Sequence, residues 1–165
     1  MQVTQFTPPW RSLEKYVEAR VEEARLEARL ALRFLEEGLL QNAAGKAFQA
    51  WKAVLAALAA SHREVVAEKF RGVVVDKLGK KRERADLIIA LMPTTKMRAV
   101  AELLAERTGW EVVYLTDLAL NLHDFQYNGL DPERLGSRYG DVEEVARDLK
   151  HLVEKTFQMT SQLFK

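Results

Sequence analysis

The chain contains no cysteine. Disulfides, thiolate nucleophiles and sulfur-rich zinc sites are excluded together, and the composition fits a reducing cytosol. Proline and glycine are scarce, at four and eight of 165 residues, so few positions interrupt a helix. No charge of one sign dominates, because 25 Lys and Arg face 24 Asp and Glu. A global pull towards nucleic acid or anionic lipid is not expected. The longest apolar run, "AVLAALAA" from Ala53 to Ala60, falls far short of the roughly 20 residues that span a bilayer. The opening "MQVTQFTPPW" lacks the charged and apolar regions of a signal peptide. No Gly-rich phosphate loop is present, and no Gly-x-Ser-x-Gly elbow. The three histidines, His62, His123 and His151, stand on separate predicted helices without ligand spacing. No metal site and no cofactor are expected.

What is present points to one cytoplasmic, helical domain of 165 residues, a length that supports a self-sufficient core. Charged residues make up 30% of the chain and only three Asn occur, a balance that leans towards a thermophile.

Thr7 reads as an N-cap with Pro8 at the first helical position. Leu13, Val17, Val21, Ala24, Ala28, Leu32 and Leu35 then recur at steps of three and four, marking one helical face. A second stripe, Leu26, Leu30 and Phe34, joins midway and predicts burial on two sides in the later half. Gly38 supplies a left-handed stop. The next helix carries a small seam (Ala43, Ala47, Ala50, Val54, Ala57) and a bulky one (Phe48, Trp51, Leu55, Leu58). So short a break makes the two helices antiparallel neighbours. Residues 1–60 thus form an N-terminal hairpin, 61–109 a middle group of helices and 110–165 a C-terminal group.

In the middle, the β-branched triplet Val73 to Val75 has no evident partner strand. The segment reads as helix, then a basic loop, then a short helix ending before Pro93. The loop's Lys77, Lys80, Lys81, Arg82 and Arg84 suit either a solvated turn or a nucleic-acid contact. "PTTKMRAVAELLAERTG" offers a Thr cap, a face of Met97, Val100 and Leu104, and Gly109 as the stop. Asp131 with Pro132 reads as a capped turn. Asp141 with Glu144 opens the last helix as a capping-box-like pair.

The polar residues of "WEVVYLTDLALNLHDFQYNGLDPE", Trp110 to Glu133, are the candidate site. Thr116, Leu120, His123 and Tyr127 share one stripe, and Asp117, Asn121, Asp124 and Asn128 the next. A histidine oriented by Asp124 or Asp117 is a general-base arrangement. The same residues also describe a structural histidine at a helix seam. Asn42 and Lys46, one turn apart, are a second polar pair, suited to a phosphate, to a partner's carboxylate, or simply to solvent.

Two blocks together resemble the archaeal PaREP family. They are "ALRFLEEGLLQNAAGKAFQAWKAVLAALA" and "LALNLHDFQYNGLDPE", the latter followed by "DVEEVARDLKHLV". That family is similar to the HEPN group of helical bundles. The resemblance implies an all-α, HEPN-like bundle, frequent homodimers and a nucleotidyltransferase-type protein partner. Many HEPN proteins are ribonucleases with an Arg a few residues ahead of a His. Here Thr116, Asp117 and Leu118 precede His123, while Glu144, Val145 and Ala146 precede His151. Leu55, Ala56 and Ala57 precede His62. Without that guanidinium the transition-state charge goes unmet. The second helix also resembles a tetratricopeptide unit, but no second copy follows at about 34 residues.

The expectation is an all-α bundle of about six helices. It would act as a non-enzymatic, self-associating module that binds a partner protein or a nucleotide-bearing ligand through Asn121, His123, Tyr127, Asn42 and Lys46. The alternative is a HEPN-type ribonuclease or nucleotide-handling enzyme with His123 as base and Asp124 orienting it.

Overall fold

The computed structural model describes residues 6–163. Seven helices and one two-stranded hairpin make up the described residues, against about six helices expected, and the all-α bundle stands. In chain order they are α1 (Leu13–Glu36), α2 (Leu40–Ser61), α3 (Arg63–Lys69), β1 (Val73–Val75), β2 (Lys81–Glu83), α4 (Arg84–Leu91), α5 (Thr94–Thr108), α6 (Glu111–Asn128) and α7 (Val142–Gln162).

The architecture is organised around α2. Both of its predicted seams, Ala43, Ala47, Ala50, Val54 and Ala57 on one side and Phe48, Trp51, Leu55 and Leu58 on the other, are buried. It packs against α1, α6 and α7, with α4 and α5 closing one end. Ala and Gly along α2 let neighbouring helices approach, while its aromatics fill the space between them. The α1–α2 turn closes as expected: Gly38 adopts a φ of +76°, and the Leu39 amide donates to the Phe34 carbonyl at 2.9 Å. Only a residue without Cβ takes that conformation cheaply. Among the described residues no helix is long and apolar enough to cross a membrane.

Three expectations about the helices are corrected. Pro8 does not start a helix: the Arg11 and Ser12 amides close a turn onto the Pro8 carbonyl. Ser12 is the N-cap, and its hydroxyl accepts from the Lys15 amide. Thr94 does not cap α5, whose N-cap is Pro93 with no side-chain bond. The second α1 stripe is not buried on two sides, since Leu26 is 52% exposed.

The valine triplet is a strand, because the basic segment supplies its partner. Val73 faces Glu83, Val74 faces Arg82 and Val75 faces Lys81 in antiparallel register. Asp76 builds the turn, its Oδ1 accepting from the Leu78 and Lys80 amides. Gly79 bends back at a φ of +76°. Arg82 pairs with Asp76 at 3.2 Å and lies over the Trp10 ring, which pins the inner face of the hairpin to the chain ahead of α1.

Candidate functional site

At the turn end of the α1–α2 hairpin, α6 lies across α2 at Gly45. A Cβ built on Gly45 would meet the Gln126 amide at 2.7 Å, so the missing side chain is what admits Gln126. The Gln41 amide donates to the Gln126 carbonyl at 2.9 Å and ties the two helices together. Beside this crossing runs an open groove of about 560 Å³, lined by Glu27 and Phe34 of α1, Gln41, Asn42, Gly45, Lys46 and Gln49 of α2, and Gln126 and Tyr127 of α6.

Three of the predicted residues, Asn42, Lys46 and Tyr127, meet here. Tyr127 is 72% exposed. Lys46 is not a free cation, because its ammonium reaches the Glu27 carboxylate at 2.9 Å. His123 lies behind Tyr127 and does not line the groove. Its ring stacks on Phe48, with centroids 4.1 Å apart and planes 27° apart, and meets Tyr127 edge-on at 5.3 Å. Its Nδ1 is buried and has no hydrogen-bond partner among the described residues.

The two aspartates stand elsewhere. Asp124 pairs with Arg138 at 3.1 Å, and the same guanidinium donates to the Asn121 side chain at 3.1 Å. Asp117 pairs with Arg98 at 3.0 Å. Neither carboxylate makes a hydrogen bond to His123, and Asn121 and Asp124 face the segment between α6 and α7.

That segment is a latch. Asp131 accepts from the backbone amides of Glu133, Leu135 and Gly136, as its predicted capping role requires. Those amides, Gly136 first, hold its carboxyl below the usual range. Arg134 forks onto Glu144, with one bond at 2.9 Å. Glu144 also accepts from the Gly140 amide, one residue further back than a capping box would have it. Asp141 does cap α7, accepting from the Glu144 amide at 2.9 Å. The Tyr139 phenol is buried and donates to Asp148 at 2.6 Å. Burial first, and then that carboxylate, push the phenol above its ordinary range.

The basic hairpin keeps Lys77, Lys80, Lys81 and Arg84 exposed, whereas Arg82 is partly buried and committed to Asp76 and Trp10. Among the described residues no three His, Asp or Glu side chains converge as a metal site.

Periodicity alone did not single out Glu27, Gln41, Gln49 and Gln126, and it read Phe34 as part of a buried stripe. The usable signal was Gly45 inside an otherwise Ala-rich helix, since a glycine there marks a close approach.

The fold and groove together define a class: a helical bundle with an amide-lined groove where three helices meet. Within that class the chain belongs to the archaeal PaREP1/PaREP8 family, whose model matches residues 19–150. No curated protein and no solved structure matches it.

Proposed function

We propose that the protein is a non-enzymatic, self-associating interaction module that takes a polar segment of a partner protein into the groove at Asn42, Lys46 and Tyr127. The observation that carries this reading is the chemistry of the lining. Side-chain amides dominate it, and the one cation is already neutralised by Glu27. Amides offer both donors and acceptors and suit a peptide backbone. A phosphate-bearing ligand calls for uncommitted positive charge, which the groove does not offer, so the partner-protein reading stands ahead of the nucleotide one. Exposed Tyr127 is the residue type that anchors protein interfaces. His123 supports Tyr127 from behind. With both nearby aspartates engaged by arginines, no carboxylate orients it as a base.

The test uses the immobilised full chain and its Asn42→Ala/Tyr127→Ala variant in affinity capture from a family member's own cell extract. One protein retained by the wild type and lost from the variant, at an unchanged melting temperature, is the expected result. Identical retention by both proteins would remove the groove from the reading. Cleavage of generic RNA by the wild type, abolished in His123→Ala, would replace the reading with the ribonuclease one.

A further inference from the structure

The outward face of α1 carries a pattern that neither the core nor the groove uses. Leu26 stands at its solvent-facing pole, 52% exposed, directly opposite the buried Val21, Ala24, Ala28 and Ala31. On the N-terminal side of Leu26 the exposed residues include Glu18 and Glu22, and on the C-terminal side Arg29 and Arg33. Among the described residues Glu18, Glu22 and Arg29 make no ion pair within the chain, and Arg33 has only the exposed Glu37. Charges of opposite sign are thus separated along one stripe with an apolar residue at the midpoint.

We infer that this face is the contact between two copies of the chain, packed antiparallel about a two-fold axis through Leu26. The inference rests on the self-association part of the reading above and is independent of the groove. In an isologous contact, each residue meets the one equally far on the other side of the axis. At about 100° per residue, Glu22 and Arg29 fall on the same flank of the Leu26 line, so each glutamate faces the arginine of the other copy. Glu18 and Arg33 do likewise, one turn further out. The two Leu26 side chains meet at the centre. A parallel pairing would instead set Glu against Glu and Arg against Arg. The complementarity is of this surface with itself, which is why the occupant is a second copy and not an unrelated acidic or basic partner.

The cysteine-free chain permits a direct test. Leu26→Cys should form a disulfide-linked dimer under mild oxidation. Lys15→Cys should not, because the two copies of that position would lie about 33 Å apart along the axis at ~1.5 Å per residue, far beyond disulfide reach. In sedimentation equilibrium the wild type should dimerise, and Glu22→Arg should weaken dimerisation about tenfold. Glu22→Arg/Arg29→Glu should restore it, since the exchanged charges face each other again. All four substituted positions are exposed, so circular dichroism should stay that of the wild type. A wild type that stays monomeric at every concentration overturns the inference together with the self-association reading. A dimer that cross-links equally through both positions, or whose double variant is not rescued, overturns this interface and leaves self-association intact.

Discussion

Trp51 is fully buried in the middle of α2, yet its indole N–H is not left without a partner. It donates to Thr116 Oγ1 at 2.9 Å, while that hydroxyl donates onward to the Val112 carbonyl at 2.7 Å. Thr116→Val keeps the volume and removes the hydroxyl, stranding the buried indole donor at a cost of about 1–3 kcal/mol. Urea unfolding should show that loss with an unchanged slope. A variant as stable as the wild type would mean that the indole finds another partner. At the same scale, the two aromatic-stripe residues of α6 part company. Tyr127 is exposed and its removal should be close to neutral for stability, whereas His123 stacks on Phe48 in the helix seam. The sequence placed both on one stripe, which is correct as periodicity. It carried no information on how far the stripe extends out of the bundle, because that depends on where Phe48 and the α1–α2 turn come to rest.

At the scale of elements, the latch between α6 and α7 is held by the fork from Arg134 to Glu144. Arg134 first, and then the Gly140 amide, pull the Glu144 carboxyl down to about 2 from an ordinary 4.5. A folded-state value below the unfolded one means that the ionised contact stabilises above pH 4.5 and is lost as pH falls towards 2. The Gly140 amide resonance should therefore shift across that window in the wild type. In Glu144→Gln the shift should be absent, and Arg134→Met should loosen the latch already at neutral pH. A Gly140 signal that is flat down to pH 2 would discard the latch. The same scale shows what was legible. Helices α2 and α5 follow their apolar spacing closely, because 3.6-residue periodicity is a local property. The β-hairpin was not legible, since β2 reads "KRE" and has no strand propensity of its own. Its pairing exists because the Asp76 turn brings it back onto Val73–Val75, and because Arg82 finds Trp10, which is distant in sequence. The split of the candidate site has the same origin. Asn42, Lys46 and Tyr127 meet because of the crossing at Gly45. Asn121 and Asp124 were drawn off by Arg138, from a connecting segment whose path no periodicity describes.

Over the whole molecule, stability is graded outwards from α2. This helix contacts α1, α6 and α7 along its length and is buried on nearly every side, so it can open only when the bundle does. The hairpin is the opposite case. Its strands are three residues each, Val73 and Val75 are exposed, and an isolated two-stranded ribbon is at best marginal in water. What holds it is a small set of attachments: Arg82 over Trp10, and Arg63 bridging Glu83 at 2.7 Å and Asp86 at 2.6 Å. Such a region opens locally at a free energy below that of global unfolding. Native-state hydrogen exchange should show this directly. The Arg84 amide, bonded to the Gly72 carbonyl at 2.9 Å, should exchange by an opening insensitive to low urea. The amides of Val54 and Leu55 in α2 should exchange only through urea-dependent global unfolding. Arg63→Met should speed exchange at Arg84 while leaving the α2 amides near their wild-type rates. The reason is that it cuts the hairpin's attachment without touching α1, α6 and α7, the helices packed along the length of α2. Matching protection at Arg84 and Leu55 would instead make the hairpin part of the cooperative core. The two ion pairs of Arg63 would then have to be counted among the contacts that hold the bundle itself together.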